Sequence, residues 1–150
     1  MKMELTWEEV ILEQTNLEIC NLLIMKHLFM PYELALQLKE KGFDEPCLAY
    51  WSTYNKSIPE LVINEQSKGN WSLKEDYCTA PLYQQVIDWF ETKGIYISIN
   101  TACYSVPIWS DWCVQRIEPY TEVFSEQDES YENKYEALNK AIEEALKHIP

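Results

Sequence analysis

The sequence predicts an α+β fold: an antiparallel sheet of three to four strands, helices packed mainly on one face, and a C-terminal helix–strand–strand–helix unit. Three observations predict it. Apolar residues recur at three- and four-residue spacing in four segments. They alternate strictly over 95–103. Pro31, Gly42, Pro81, Gly94 and Pro119 stand at the boundaries between segments.

The elements follow in order. Residues 6–29 read as a helix. Thr6 and Glu9 make a capping box, and Val10, Ile11, Leu17, Cys20, Ile24 and Leu28 form its apolar stripe. A strand over 18–25 is the alternative reading. Pro31 opens a second helix that Gly42 caps, with Phe43 folding back on it. Asp44, Glu45 and Pro46 make a turn. Residues 47–54, rich in aromatic and small side chains, read as a strand, and 61–64 as a second, short one. The polar stretch 65–79, containing Gly69-Asn70, Trp71 and Tyr77, reads as a long loop.

Residues 80–93 read as a helix with Pro81 in its first turn and Leu82, Val86, Trp89 and Phe90 on one face. In 95–103, Ile95, Ile97, Ile99, Thr101 and Cys103 face one way and Tyr96, Ser98, Asn100 and Ala102 the other. Residues 108–117 pair with them as a hairpin. Neither face of this second strand is cleanly apolar, which leaves Trp109 or Trp112 exposed or half-exposed. Residues 120–129 are acidic and read as loose chain. A last helix runs from near Ser130 to His148, with Glu136–Lys140 and Glu143–Lys147 as supporting pairs.

A chain of 150 residues fits a single domain, 1–150, with 1–24 as an N-terminal helical extension. The formal charge is −13 and Arg116 is the sole arginine, so direct nucleic-acid binding is not expected. The plain reading of the acidity is solubility. The sharper one is a surface for a basic partner, nucleic-acid mimicry included. Cys20, Cys47, Cys78, Cys103 and Cys113 form no C-x-x-C pair, and the start MKMELTWEEV has no early apolar run. A reduced, cytoplasmic protein follows, with neither zinc nor disulfides. No apolar run approaches the ~20 residues of a membrane span. Only 3 glycines are present, which argues against a phosphate loop, and nothing implies a cofactor.

Motifs for nucleophilic or metal catalysis are absent from the sequence. His27 and His148 fall near predicted helix ends. The adjacent acids Asp44/Glu45, Glu75/Asp76 and Glu143/Glu144 read as turns and solvated faces. Aromatic residues supply the binding candidates: Trp71, Trp109, Trp112, Tyr50 and Trp51, with Tyr54 beside them. Trp and Tyr are enriched at protein-binding hot spots. Core packing is their competing use.

Three segments carry a resemblance: ELALQLKEKGFDEPCLAYW (33–51), APLYQQVIDWFETKGIYISI (80–99) and SYENKYEALNKAIEEALKHI (130–149). Together they resemble a group of small uncharacterised proteins of phages, prophages and mobile elements in Bacteroides-type gut bacteria. The group's chains begin near the equivalent of Met25 or Lys26, so 1–24 would be an addition and Met25 a candidate start. The resemblance implies a phage or mobile-element accessory protein and transfers no site residues. The expected function is a non-enzymatic protein-binding module with a protein partner. The alternatives are an acidic mimic that inhibits a DNA-binding protein, and a small enzyme whose site is assembled from residues distant in sequence.

Overall fold

Met25 and Lys26 are the helical end of the preceding segment, and Pro31 sets where the next helix begins. Its backbone is extended, at φ −55° and ψ 150°, and its carbonyl accepts the Ala35 N–H at 2.9 Å. Helix α1 then runs Tyr32–Glu40 and buries Leu34, Ala35 and Leu38. Gly42 ends it at φ +87°, a left-handed conformation that costs glycine little. The Gly42 N–H donates to Lys39 O at 3.1 Å, and the Phe43 N–H to Leu38 O at 2.9 Å. These two bonds make a Schellman motif, with Phe43 folded into the core beside Leu38. The structure is a computed structural model that describes residues 25–54, 57–70, 73–102, 109–116, 122–124, 131 and 133–150. The predicted helix over 6–29 lies outside the described residues except at its end.

Strands β1 (Cys47–Ser52), β2 (Glu60–Lys68) and β3 (Tyr77–Thr79) form an antiparallel sheet in the order β2-β1-β3. Two of them extend the sequence reading. β2 is longer than 61–64, and its pairing with β1 carries a bulge between the Cys47 and Ala49 positions. β3 lies inside the predicted long loop. Along β1, Cys47, Ala49 and Trp51 face inward; Leu48 and Tyr50 face outward. The Trp51 indole N–H donates to Met30 O at 2.9 Å, which ties β1 to the segment before α1.

Helix α2 spans Tyr83–Glu91, starting later than Pro81. The reason is a local pairing. The Met30 N–H donates to Pro81 O at 2.8 Å, and Phe29 bridges Leu82, so this stretch stays extended. Gln85 Oε1 accepts the Leu82 N–H at 3.0 Å and caps the helix instead. Gly94, at φ +73°, follows its last turn.

Strands β4 (Ile95–Ala102), β5 (Trp109–Arg116) and β6 (Glu122–Phe124) make a second antiparallel sheet in that order. The predicted hairpin and the alternation of β4 hold: Ile95 is buried, while Tyr96, Ser98 and Asn100 are exposed. Helix α3 (Lys134–Lys147) packs on β4 and β5 through Ala137, Ala141, Ile142, Ala145 and Leu146. Its alanines let the helix sit close to the sheet. Asn133 caps it, its Oδ1 accepting the Tyr135 N–H at 2.9 Å.

The α+β class and the C-terminal helix–strand–strand–helix unit are thus observed, with the strands divided between two sheets. β1 has β2 on one edge and β3 on the other, so no edge remains for β4. One core joins the layers. Leu34 and Leu38 of α1, Val86 and Phe90 of α2, Trp112 and Val114 of β5, and Ile142 of α3 meet in it. Burial of such side chains stabilises by about 1.5–3 kcal/mol each.

Candidate docking surface

Among the described residues, Met25, Leu28 and Tyr96 are exposed large apolar side chains elsewhere, and four more fall close together. Leu48 is 54% exposed, Tyr54 57%, Ile58 78% and Ile63 43%. All four lie on β1, on β2 or in the hairpin between them. Alternation explains Leu48: its neighbours Cys47 and Ala49 take the core side of β1. Val62 stands opposite Tyr50 on the same outer face. Ile63 pairs with Ala49 but lies on the edge strand, where nearly half of it stays open. Leu48, Tyr50 and Val62 thus share the outer face, and exposed apolar side chains grouped in this way mark interaction surfaces.

The outer face continues onto β3. Tyr50 is opposite Thr79, so Tyr77 is its diagonal neighbour. Their rings meet edge to face, 5.5 Å apart and 75° inclined. Tyr50, Tyr77, Leu73, Lys68 and Lys74 line a cleft of about 210 Å³. Its position depends on Asn70, which is 9% exposed. The Asn70 Nδ2 donates to Phe43 O at 2.8 Å and to Thr79 Oγ1 at 2.9 Å, and its Oδ1 accepts the Thr79 N–H at 2.9 Å. One amide therefore holds the β2–β3 connection, the end of α1 and β3 together.

Of the aromatic residues singled out from the sequence, Tyr50 stands on this face and Tyr54 just beyond the end of its strand. Trp51 points inward, half-buried, with its indole bonded to Met30 and its ring 6.4 Å from Tyr32. Trp112 is a core residue, 5% exposed, opposite Ile99 on the face of β5 that α3 covers. Trp51 and Trp112 therefore do not share a surface with Tyr50 and take the competing use, core packing. Trp109 is placed by its strand register alone, opposite Ala102. Trp71 lies outside the described residues. Sequence reasoning passed over Leu48, Ile58, Lys68 and Lys74. The alternation of 47–51 was the signal available for Leu48.

The groups that acid–base or nucleophilic chemistry would use are engaged elsewhere. Burial pushes the Cys47 thiol up to about 12 and the Cys78 thiol up to about 11, so both stay protonated at neutral pH. Burial also raises Tyr83 to about 12, and its hydroxyl donates to Asn139 Oδ1 at 2.7 Å. His27 meets the Tyr135 ring edge-on at 5.2 Å, and His148 stacks on Phe124 at 4.0 Å. Among the described residues, no group of three or more His, Cys, Asp or Glu could hold a metal ion. The open cleft of about 460 Å³ between α1 and α3 is lined by Gln37, Glu40, Lys41, Glu143, Leu146 and Lys147.

On α3 the acids are locally compensated. Glu143 lies 2.9 Å from Lys140, and Glu144 bonds both Lys147 and His148. The two lysine pairs stand at i, i+3, where Glu143–Lys147 was expected at i, i+4, and Glu144–His148 stands at i, i+4. The Lys147 contact, foremost, holds the Glu144 carboxyl below the usual range. No helix among the described residues is long and apolar enough to cross a membrane. No family model, no curated protein and no solved structure matches the chain.

Proposed function

We propose that this chain is a non-enzymatic protein-binding module that docks its partner on the outer face of the β2-β1-β3 sheet. The observation that carries the reading is exposed Leu48 and the Tyr50–Tyr77 pair on that one face, with exposed Tyr54 and Ile58 in the β1–β2 connection at the end of the sheet. Exposed aliphatic and aromatic side chains gain most when a partner covers them, and such anchors dominate binding energy. The role assigned is that of a phage or mobile-element accessory protein, as the resemblance of 33–51, 80–99 and 130–149 implies. A cytoplasmic setting goes with it, supported by the free thiols of Cys47, Cys78 and Cys113.

The test compares capture from a Bacteroides-type lysate by three forms of the protein. These are the unaltered chain, the Leu48→Asp/Ile58→Asp variant, and Tyr96→Asp on the second sheet as a control. The reading expects one protein captured stoichiometrically by the unaltered chain and by Tyr96→Asp, and at least tenfold less by the outer-face variant. Equal capture by all three would contradict it.

A further inference from the structure

The cleft beside the apolar face differs in charge from the rest of the molecule. The chain carries 25 Asp and Glu against 12 Lys and Arg. Yet, among the described residues, the cleft is lined by Lys68 and Lys74 with Tyr50, Tyr77 and Leu73, and by no carboxylate. Both lysines are exposed. Among the described residues neither ammonium has a carboxylate partner, in contrast to Lys140 and Lys147 on α3. Glu75 and Asp76 follow Lys74 in the same turn but do not line the cleft. The edge-to-face pair of tyrosines forms a rigid apolar wall on one side of it.

We infer that this cleft receives an acidic side chain of the protein partner, flanked by apolar residues that cover Leu48 and Val62. The inference rests on the docking surface proposed above and adds the chemistry of the partner. The cleft, at about 210 Å³, is smaller than the roughly 300–1,000 Å³ of sites for free small molecules. One inserted side chain suits it better than a cofactor. Complementary charge would also steer the encounter and select among partners, because a basic or neutral segment gains nothing from the lysines. A polyanionic nucleic acid suits the site less well. Its phosphates would meet the field of a chain with a formal charge of −13.

The experiment is a titration of the 15N-labelled full chain followed by amide shifts. Three probes are used: an eight-residue peptide of alternating Glu and Phe, its Gln–Phe counterpart, and a ten-nucleotide oligothymidine. The Glu–Phe peptide should shift the amides of Tyr50, Lys68, Lys74 and Tyr77 and bind at least tenfold more tightly than the Gln–Phe peptide. The exposed double variant Lys68→Glu/Lys74→Glu should keep its dispersed spectrum and lose that tenfold preference. Equal binding of the two peptides at these amides would overturn the acidic specificity and leave the docking surface standing. Shifts confined to other parts of the chain, or none at millimolar peptide, would overturn both. Tighter binding of oligothymidine at the cleft would overturn the inference in favour of a nucleic-acid site.

Discussion

The Asn70 side chain pairs with Thr79 as one strand pairs with the next, giving and taking one hydrogen bond. The Thr79 N–H donates to Asn70 Oδ1 and Asn70 Nδ2 donates to Thr79 Oγ1, each at 2.9 Å. Nδ2 also reaches Phe43 O at 2.8 Å. A three-residue strand such as β3 has little pairing of its own. This amide supplies what it lacks and so positions Tyr77 against Tyr50.

Asn70→Ala should therefore destabilise strongly. It would leave the Phe43 carbonyl and the Thr79 N–H buried without their partner and take one bond from the Thr79 hydroxyl, which the Cys47 thiol also meets. Each unsatisfied buried group costs about 1–3 kcal/mol, and partial rehydration brings the total to about 3 kcal/mol. Urea unfolding followed by tryptophan fluorescence measures it. A loss under about 0.5 kcal/mol, the range of ordinary surface substitutions, would show that the amide is dispensable.

Gly42→Ala isolates a backbone effect. An added Cβ meets nothing within 4 Å, so sterics with neighbours play no part. The cost is that of holding an L residue at φ +87°, about 1 kcal/mol. For a chain of this size the melting temperature should fall by about 3 °C. An unchanged midpoint would mean that the Schellman motif relaxes at no cost.

Alkaline pH should destabilise the protein before the other core groups respond. The folded-state pKa values of Cys47, Cys78 and Tyr83 are raised to about 12, 11 and 12 from ordinary values of 9.0, 9.0 and 10.0. Above pH 9 the unfolded chain loses protons that the folded chain keeps. Stability is then full below about pH 9 and falls as pH rises towards 11 to 12. Urea midpoints at several pH values across that window test this, and Cys47→Ala should flatten the slope. A midpoint that rises over the window would reverse the sign of the argument.

The stack of Phe124 on His148, at 4.0 Å and 26°, ties the short strand β6 to the end of α3. The His148 Nε2 also lies 3.1 Å from Glu144 Oε1, which orients the ring. Aromatic contacts of this kind contribute about 0.5–1.5 kcal/mol. His148→Ala should raise amide exchange in β6 about tenfold while the core of α3 keeps its protection. Uniform acceleration across β6 and α3 would instead mean that the stack supports the whole unit.

Much of the fold is legible in the chain because its punctuation is local. Gly42 and Gly94 end helices where left-handed backbone is needed, and strict alternation marks β4. β3 is hidden because three residues, Tyr77–Thr79, are too few to show a period. Missing β3 also hides the division into two sheets, since its place beside β1 then looks vacant. Pro81 reads as a first-turn residue, and only the long-range bond from Met30 shows that it is extended. The candidate site was half legible. Aromatic content pointed to β1, but Trp51 and Trp112 differ from Tyr50 in facing the helices. That depends on what lies beneath each sheet rather than on residue type. The lysines of the cleft carried no signal, because Lys68 and Lys74 become neighbours only once β3 lies beside β1.

The most direct measurement is site-specific photocrosslinking in a Bacteroides-type host. A photoreactive phenylalanine analogue replaces Leu48 in one strain and Tyr96, on the outer face of the second sheet, in another. Both positions are exposed, at 54% and 42%, so the analogue should be tolerated at each. The account predicts a single crosslinked protein from position 48 and none from position 96. A crosslink from position 96 alone, or equal yields from both, would contradict the assignment of the β2-β1-β3 face as the docking surface.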